Sequence, residues 1–197
     1  MKTEAFVPSL TDILGQHSLA VQPVTLSAVE NDASGIAWSG LTGSLFVVRN
    51  NNPVIFELDA QGNVLRDIQM SGFHDVEGIT WINSNFFAVV EERACSVWLL
   101  EIDSYTRSVS RPETPFFTMP TLNASLGNNG CEDIAWNNAD NVLYMIKEKS
   151  PALLLRVSGL DASRTEQGML DVQTVYSHAG MDIFLSLIHI SEPTRPY

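Results

Sequence analysis

Hydrophobic positions along this chain fall into short runs rich in Val, Ile, Leu and Phe, broken by clusters of Gly, Asn, Asp and Pro. Such runs lack a helical period and read as strands joined by turns. They also repeat. DASGIAW at 32–38, DVEGITW at 75–81 and GCEDIAW at 130–136 each end in Ile, a small residue and Trp, so three of the four tryptophans share one slot. Behind each comes a run closing on a polar pair: SLFVVRN (44–50), FFAVVEE (86–92) and VLYMIKE (142–148), with 12, 11 and 12 positions from the Trp to the end of the pair. A third run follows, PVIFELD (53–59), SVWLLEID (96–103) and PALLLRVSG (151–159), then a weaker fourth, NVLRDIQM (63–70), ETPFFTM (113–119) and DVQTVYS (171–177). Four strands per unit, with Trp slots 43 and 55 residues apart, match the blade of a β-propeller better than a sandwich. The chain is therefore predicted to be all-β, a partial propeller over 21–183 with four-stranded antiparallel blades at about 32–70, 75–119 and 130–177.

The flanks break this grammar. Residues 1–20 read as a flexible lead in which SLTDILG (9–15) is at most a short turn of helix, and PVTLSAV (23–29) as an outer strand. A further unit should begin near Asp182, yet after AGMDI (179–183) the chain runs FLSLIHISEPTRPY, without turns or a second strand. The stretch SLIHISEPTRPY looks like translated sequencing adapter, so 184–197 is expected to be a non-native tail on part of a longer ring. Three blades alone would leave strand edges unpaired.

Composition narrows the class. With 11 Lys+Arg against 23 Asp+Glu and a net charge of -12, the chain lacks the clustered positive charge that nucleic acid binding needs. No apolar run is long enough to span a membrane as a helix, and the first residues lack the apolar core of a secretory signal. The two cysteines, Cys95 and Cys131, have no zinc-like spacing and read as free, buried thiols, which fits the cytosol without excluding the envelope.

With these repeats in hand, GCEDIAWNNADNVLYMIKEKSPALLLRVSGL (130–160) resembles the SdiA-regulated, YjiK-like family of bacterial envelope propellers. Glu132, Lys147, Glu148, Lys149 and Gly159 take the places of that family's E-G-[LI]-A step, K-E-[KR] turn and V-x-G-L ending. DVEGITW with VVEER, and more loosely ASGIAW with FVVRNNNPVIFELDAQGNVLR, extend the likeness over roughly 21–183, while Asp133 stands where the family has Gly. The resemblance implies a complete ring of six blades, a periplasmic or membrane-associated location, and kinship with calcium-dependent lactonase and phosphotriesterase propellers. A small molecule or another envelope protein is the expected partner.

In a blade the start of the first strand and the end of the second lie on one face. Glu77 and Glu132 begin first strands and Glu92 and Glu148 end second strands, with Asn50 in the matching place of the first unit and Asp32, Asp75, Asp133 and Asn129 alongside. One rim should thus be acidic, and oxygen donors without thiolates suit a hard cation such as Ca2+ or Mg2+, of which the resemblance to calcium-dependent propellers implies Ca2+. Glu77 and Glu132 are the expected chief ligands, with Glu92 or Glu148. The competing explanation is structural: an acid at a strand head can cap the neighbouring turn and repeat because the turn repeats. Ser34 in the acid's slot of the first unit favours it. Arg49 and Lys147 would pair with these acids across the rim, and the Ile and Trp repeats would be core. His74, beside Asp75, is the histidine placed to act as a general base if the rim is hydrolytic, while His178 falls in a turn. No G-x-S-x-G, P-loop, G-x-G-x-x-G or HExxH motif is present. The sequence favours a non-catalytic binding or scaffold propeller over a metal-dependent hydrolase of lactones or phosphoesters.

Overall fold

The computed structural model describes residues 25–26, 29, 32–113, 115–119, 130–148, 151–161 and 170–178. The expected helical turn at 9–15 and the tail at 184–197 lie outside them. Among the described residues there is no helix, and the strands form three sheets. The first joins β1 (Ala33–Ser39), β2 (Ser44–Arg49), β3 (Val54–Leu58) and β4 (Val64–Ser71) in sequence order, each antiparallel to the next. The second joins β5 (Val76–Asn83), β6 (Phe86–Glu91) and β7 (Ser96–Glu101) to the two-residue β9 (Phe117–Thr118). The third joins β10 (Cys131–Asn137), β11 (Val142–Lys147), β12 (Ala152–Ser158) and β13 (Asp171–His178). These are propeller-like blades, as the repeats predict. One strand was not foreseen: β8 (Ser108–Ser110), from the connection leaving the second sheet, pairs parallel with β4 and so belongs to the first.

The turns explain the repeat punctuation. Gly43, Ser84 and Asn141 take left-handed backbone at the three inner hairpins, and Asn52 and Cys95 do so between the second and third strands of the first two sheets. Central strands β2 and β3 are almost wholly buried, whereas outer strand β4 alternates toward solvent. Sheets then stack face to face. Phe46, Val48, Ile55 and Ile68 of the first meet Ile79, Phe87, Val89 and Trp98 of the second, with the Phe46 and Phe87 rings 4.4 Å apart at 47°. Burial of one such ring contributes about 1.5–3 kcal/mol. A parallel cluster containing Ile82, Val90, Val97, Ile134, Trp136 and Met145 joins the second sheet to the third.

The Trp slot is only partly core. Trp136 is 2% exposed and Trp81 half buried, its ring against Gly40 of the first sheet, but Trp38 is 36% exposed. The ring of Trp81 leans on the preceding sheet, and among the described residues no sheet precedes the first. Of residues 23–29, Leu26 and Val29 cover the open face of the first sheet, where the Val29 amide donates to the Leu26 carbonyl at 3.1 Å. His178 ends β13, paired with Ala152, and is not in a turn.

The cysteines overturn a further expectation. Cys95 and Cys131 are not free thiols: they form a disulfide, Cα–Cα 5.0 Å, across 36 residues. The β6–β7 turn of the second sheet abuts the start of β10, which brings together two residues whose spacing gave no hint of pairing.

Candidate functional site

First strands adjoin one another, β1 beside β5 and β5 beside β10. Their approach is close. A Cβ on Gly78 would lie 2.8 Å from Asp133 Oδ1 and 3.0 Å from Ile134 N, so glycine is needed there to seat the Asp that the third repeat carries in glycine's place. Each first strand is also bulged at the same step. Ala33 pairs with Arg49 and Gly35 with Val48, Val76 with Glu91 and Gly78 with Val90, Cys131 with Lys147 and Asp133 with Ile146. The unpaired residues are therefore Ser34, Glu77 and Glu132. A bulge re-aims the side chain it carries, and here three repeats direct the same position to one rim.

The second-strand ends meet these bulges from the neighbouring sheet. Backbone ties repeat first: the Asn50 amide donates to the Asp32 carbonyl at 3.2 Å, and the Glu92 amide to the Asp75 carbonyl at 2.9 Å. The side-chain pairings then differ. Between the first and second sheets, the Asn50 amide group donates to Glu77 Oε1 and, at 3.4 Å, to Asp75 Oδ1, while Ser34 also bonds Glu77. Between the second and third, the Glu92 carboxyl meets that of Glu132, which within its own sheet also meets Glu148, and the Gly130 backbone amide faces Glu92 Oε1 at 3.4 Å. Asp75 adds a further carboxylate beside Glu92. One oxygen each from Asp75, Glu77 and Glu92 lies within 4.8 Å of the others, close enough for a shared ion.

The electrostatics follow from this crowding. Burial, then the charges of Asp75 and Glu92, pushes Glu77 up to about 7, against a bonding contribution from Ser34. Burial and the carboxylates of Glu92, Glu148 and Glu77 push Glu132 up to about 8. Glu92 is raised by the same desolvation, partly offset by the Gly130 amide. Crowding and burial thus raise the proton affinity of these rim acids toward neutrality.

Of the four acids expected from the sequence, Glu77 and Glu92 fall in the tight group, which Asp75, noticed there only as a neighbour, completes; Glu132 and Glu148 adjoin it without being part of it. Asp75 has φ 57°, the left-handed region that Asp tolerates, and its Oδ2 accepts from Arg93 Nε at 2.6 Å. The cations expected across the rim each reach a backbone carbonyl. Arg49 lies over the Phe56 ring and donates to the Asn52 carbonyl; Lys147, lowered by burial, donates to the Pro151 carbonyl. Glu91 shows what a structural acid looks like here: it accepts from Arg111, Trp98 Nε1 and the His74 amide. Strand alternation gives Glu91 to the fold and Glu92 to the rim. Beside the acid group and sharing Asp75 with it, His74, Asp75 and Arg93 line an open cleft of about 610 Å³ facing the Asn50–Pro53 turn.

Comparison with solved structures returns Kluyveromyces lactis Hsv2, 14% identical, with a TM-score of 0.40 over 76% of this chain. The chain spans 48% of that protein's length. The sequence profile of the SdiA-regulated family matches residues 11–194, most of the chain, and the protein belongs to the SdiA-regulated family.

Proposed function

We propose that this protein is an envelope-associated, non-catalytic binding or scaffold propeller whose acidic rim holds a divalent cation, Ca2+ by preference. One observation carries the proposal: where the first seam of the rim is satisfied by the Asn50 side-chain amide, the second sets the Glu92 carboxyl against that of Glu132, and among the described residues Glu92 there has the Gly130 backbone amide at 3.4 Å and no side-chain amide. A shared cation resolves that repulsion. Carboxylate oxygens, with neither thiolate nor imidazole in the group, match a hard ion. Asp75, Glu77 and Glu92 would hold it, with Glu132 and Glu148 completing the negative field. The buried disulfide supports an oxidising, extracytoplasmic location, in line with the family. A small molecule or an envelope protein is the partner such a rim would serve.

A calorimetric titration with CaCl2 and with MgCl2 tests the proposal. Saturable calcium binding that is lost in Glu77→Gln and in Glu92→Gln is expected. Absence of binding by the native protein to either ion would end it. A metal-dependent hydrolase is the second reading, favoured by the cleft that places His74 beside Asp75. There a bound ion would supply Lewis acidity and an activated water, and His74 would take a proton. Turnover of lactone or phosphotriester probes that needs calcium and falls in His74→Ala would establish it; inertness across such a panel would discard it.

A further inference from the structure

The disulfide and the rim meet at a single residue. The Glu92 carbonyl accepts from the Cys95 amide at 3.0 Å and from the Cys131 amide at 3.2 Å, so both ends of the bridge are anchored on the backbone of a rim acid. Gly130 adds a third constraint. Its amide faces Glu92 Oε1 at 3.4 Å, and any side chain there would overlap the Glu92 carbonyl. Glu132 follows Cys131 directly and occupies the bulge of β10. The sequence Gly130-Cys131-Glu132 thus supplies close approach, covalent attachment and a facing carboxyl in three consecutive residues. Both half-cystines are fully buried within the cluster that joins the second and third sheets.

Covalent attachment matters at this seam because its polar faces oppose one another. Carboxyl groups on Glu92 and Glu132 drive the sheets apart when ionised, and apolar packing beneath them is the force that resists. A bond between the turn of Cys95 and the strand of Cys131 holds them in register regardless of charge. We infer that the Cys95–Cys131 disulfide is a positioning element of the acidic rim, a staple that fixes Glu92 against the third sheet and makes assembly of the rim depend on oxidation. The inference rests on the cation-binding proposal for what the rim binds, but not for how the seam is held. Formation is ordinary exchange: the two thiols give up two protons and two electrons to a disulfide-bearing oxidant, whose own sulfur–sulfur bond is reduced to two thiols as the Cys95–Cys131 bond forms. Complete burial of both sulfurs denies a reductant direct access, so the bond persists until the seam opens.

The test uses the full chain produced in an oxidising compartment, in three measurements. Thiol titration after denaturation without reductant should find no free thiol, and two after reduction; two free thiols at the outset would overturn the inference. Hydrogen exchange then compares the native protein with Cys95→Ser/Cys131→Ser. Amides of 92–96 and 130–133 should exchange about tenfold faster or more in the variant, while those of 45–58 in the first sheet keep their rates. Unchanged exchange at the seam would refute the staple. Calcium affinity should fall about tenfold in the variant; equal affinity despite faster exchange would refute positioning. If the native protein binds no calcium, the cation proposal fails while exchange still decides the staple. Should the serine variant not fold, reduced native protein held below its melting temperature gives the same comparison.

Discussion

Replacing Glu77 by Gln should make the metal-free protein more stable near neutral pH, which is the reverse of what loss of a structural acid would do. Glu77 moves from 4.5 to about 7 on folding, chiefly through desolvation. The folded chain therefore holds more protons than the unfolded chain between those values, so stability is fully present below about pH 4.5 and drains away as pH rises through about 7. Taken whole, a rise of about 2.5 units corresponds to about 3.4 kcal/mol. Glu77 is only half buried, and solvent screening reduces this to about 1–1.5 kcal/mol. Gln retains an oxygen for the Asn50 amide and carries no charge. In chelator at about pH 8, Glu77→Gln should thus melt about 2–6 °C above the native protein, converging with it at about pH 5. Taking the difference between the two proteins at each pH cancels carboxylates common to both. Added calcium should invert the order, because only the native protein gains the bound-ion contribution. A Glu77→Gln variant that melts lower than native in chelator at about pH 8 would refute the reasoning. It would return Glu77 to the role of a turn-capping acceptor.

Two further consequences concern the frame. Opening the disulfide frees a loop of 36 residues in sequence separation, worth about 4 kcal/mol of unfolded-state entropy, so thermal melts with and without reductant should differ by about 8–15 °C. Glu57 is buried against Arg66 at 2.5 Å and accepts from Ser44 at 2.6 Å, while Arg66 reaches the carbonyls of Asp103 and Thr106. Glu57→Ala should cost about 3–5 kcal/mol in urea unfolding by stranding that guanidinium, and Glu57→Leu/Arg66→Met should recover most of it.

The repeats were legible because a propeller writes each blade in the same order: the shared Trp slot and the polar pairs found the strand triplets without reference to the fold. Beyond that, pairing register decided what could be read. Ser34, Glu77 and Glu132 align in sequence, but that each is the extra residue of a bulge depends on which residues pair opposite, and no side chain encodes that locally. Glu91 and Glu92 look alike in sequence; alternation alone gives one to Arg111 and Trp98 and the other to the rim. β8 is too short and polar to show a period, and it is a strand because β4 offers an open edge. Cys95 and Cys131 meet only through the contact of two sheets, a long-range fact that cysteine spacing does not carry.

The most direct test of the rim as a cation site is to locate an ion on it. Crystals grown or soaked with Mn2+, which shares the oxygen preference of calcium and gives a strong anomalous signal, should show one peak among the carboxylates of Asp75, Glu77 and Glu92. Calcium-grown crystals should place the same oxygens at about 2.3–2.6 Å from the ion. Anomalous maps without a peak there, with the Glu92 and Glu132 carboxyls instead in hydrogen-bond contact through a shared proton, would contradict it.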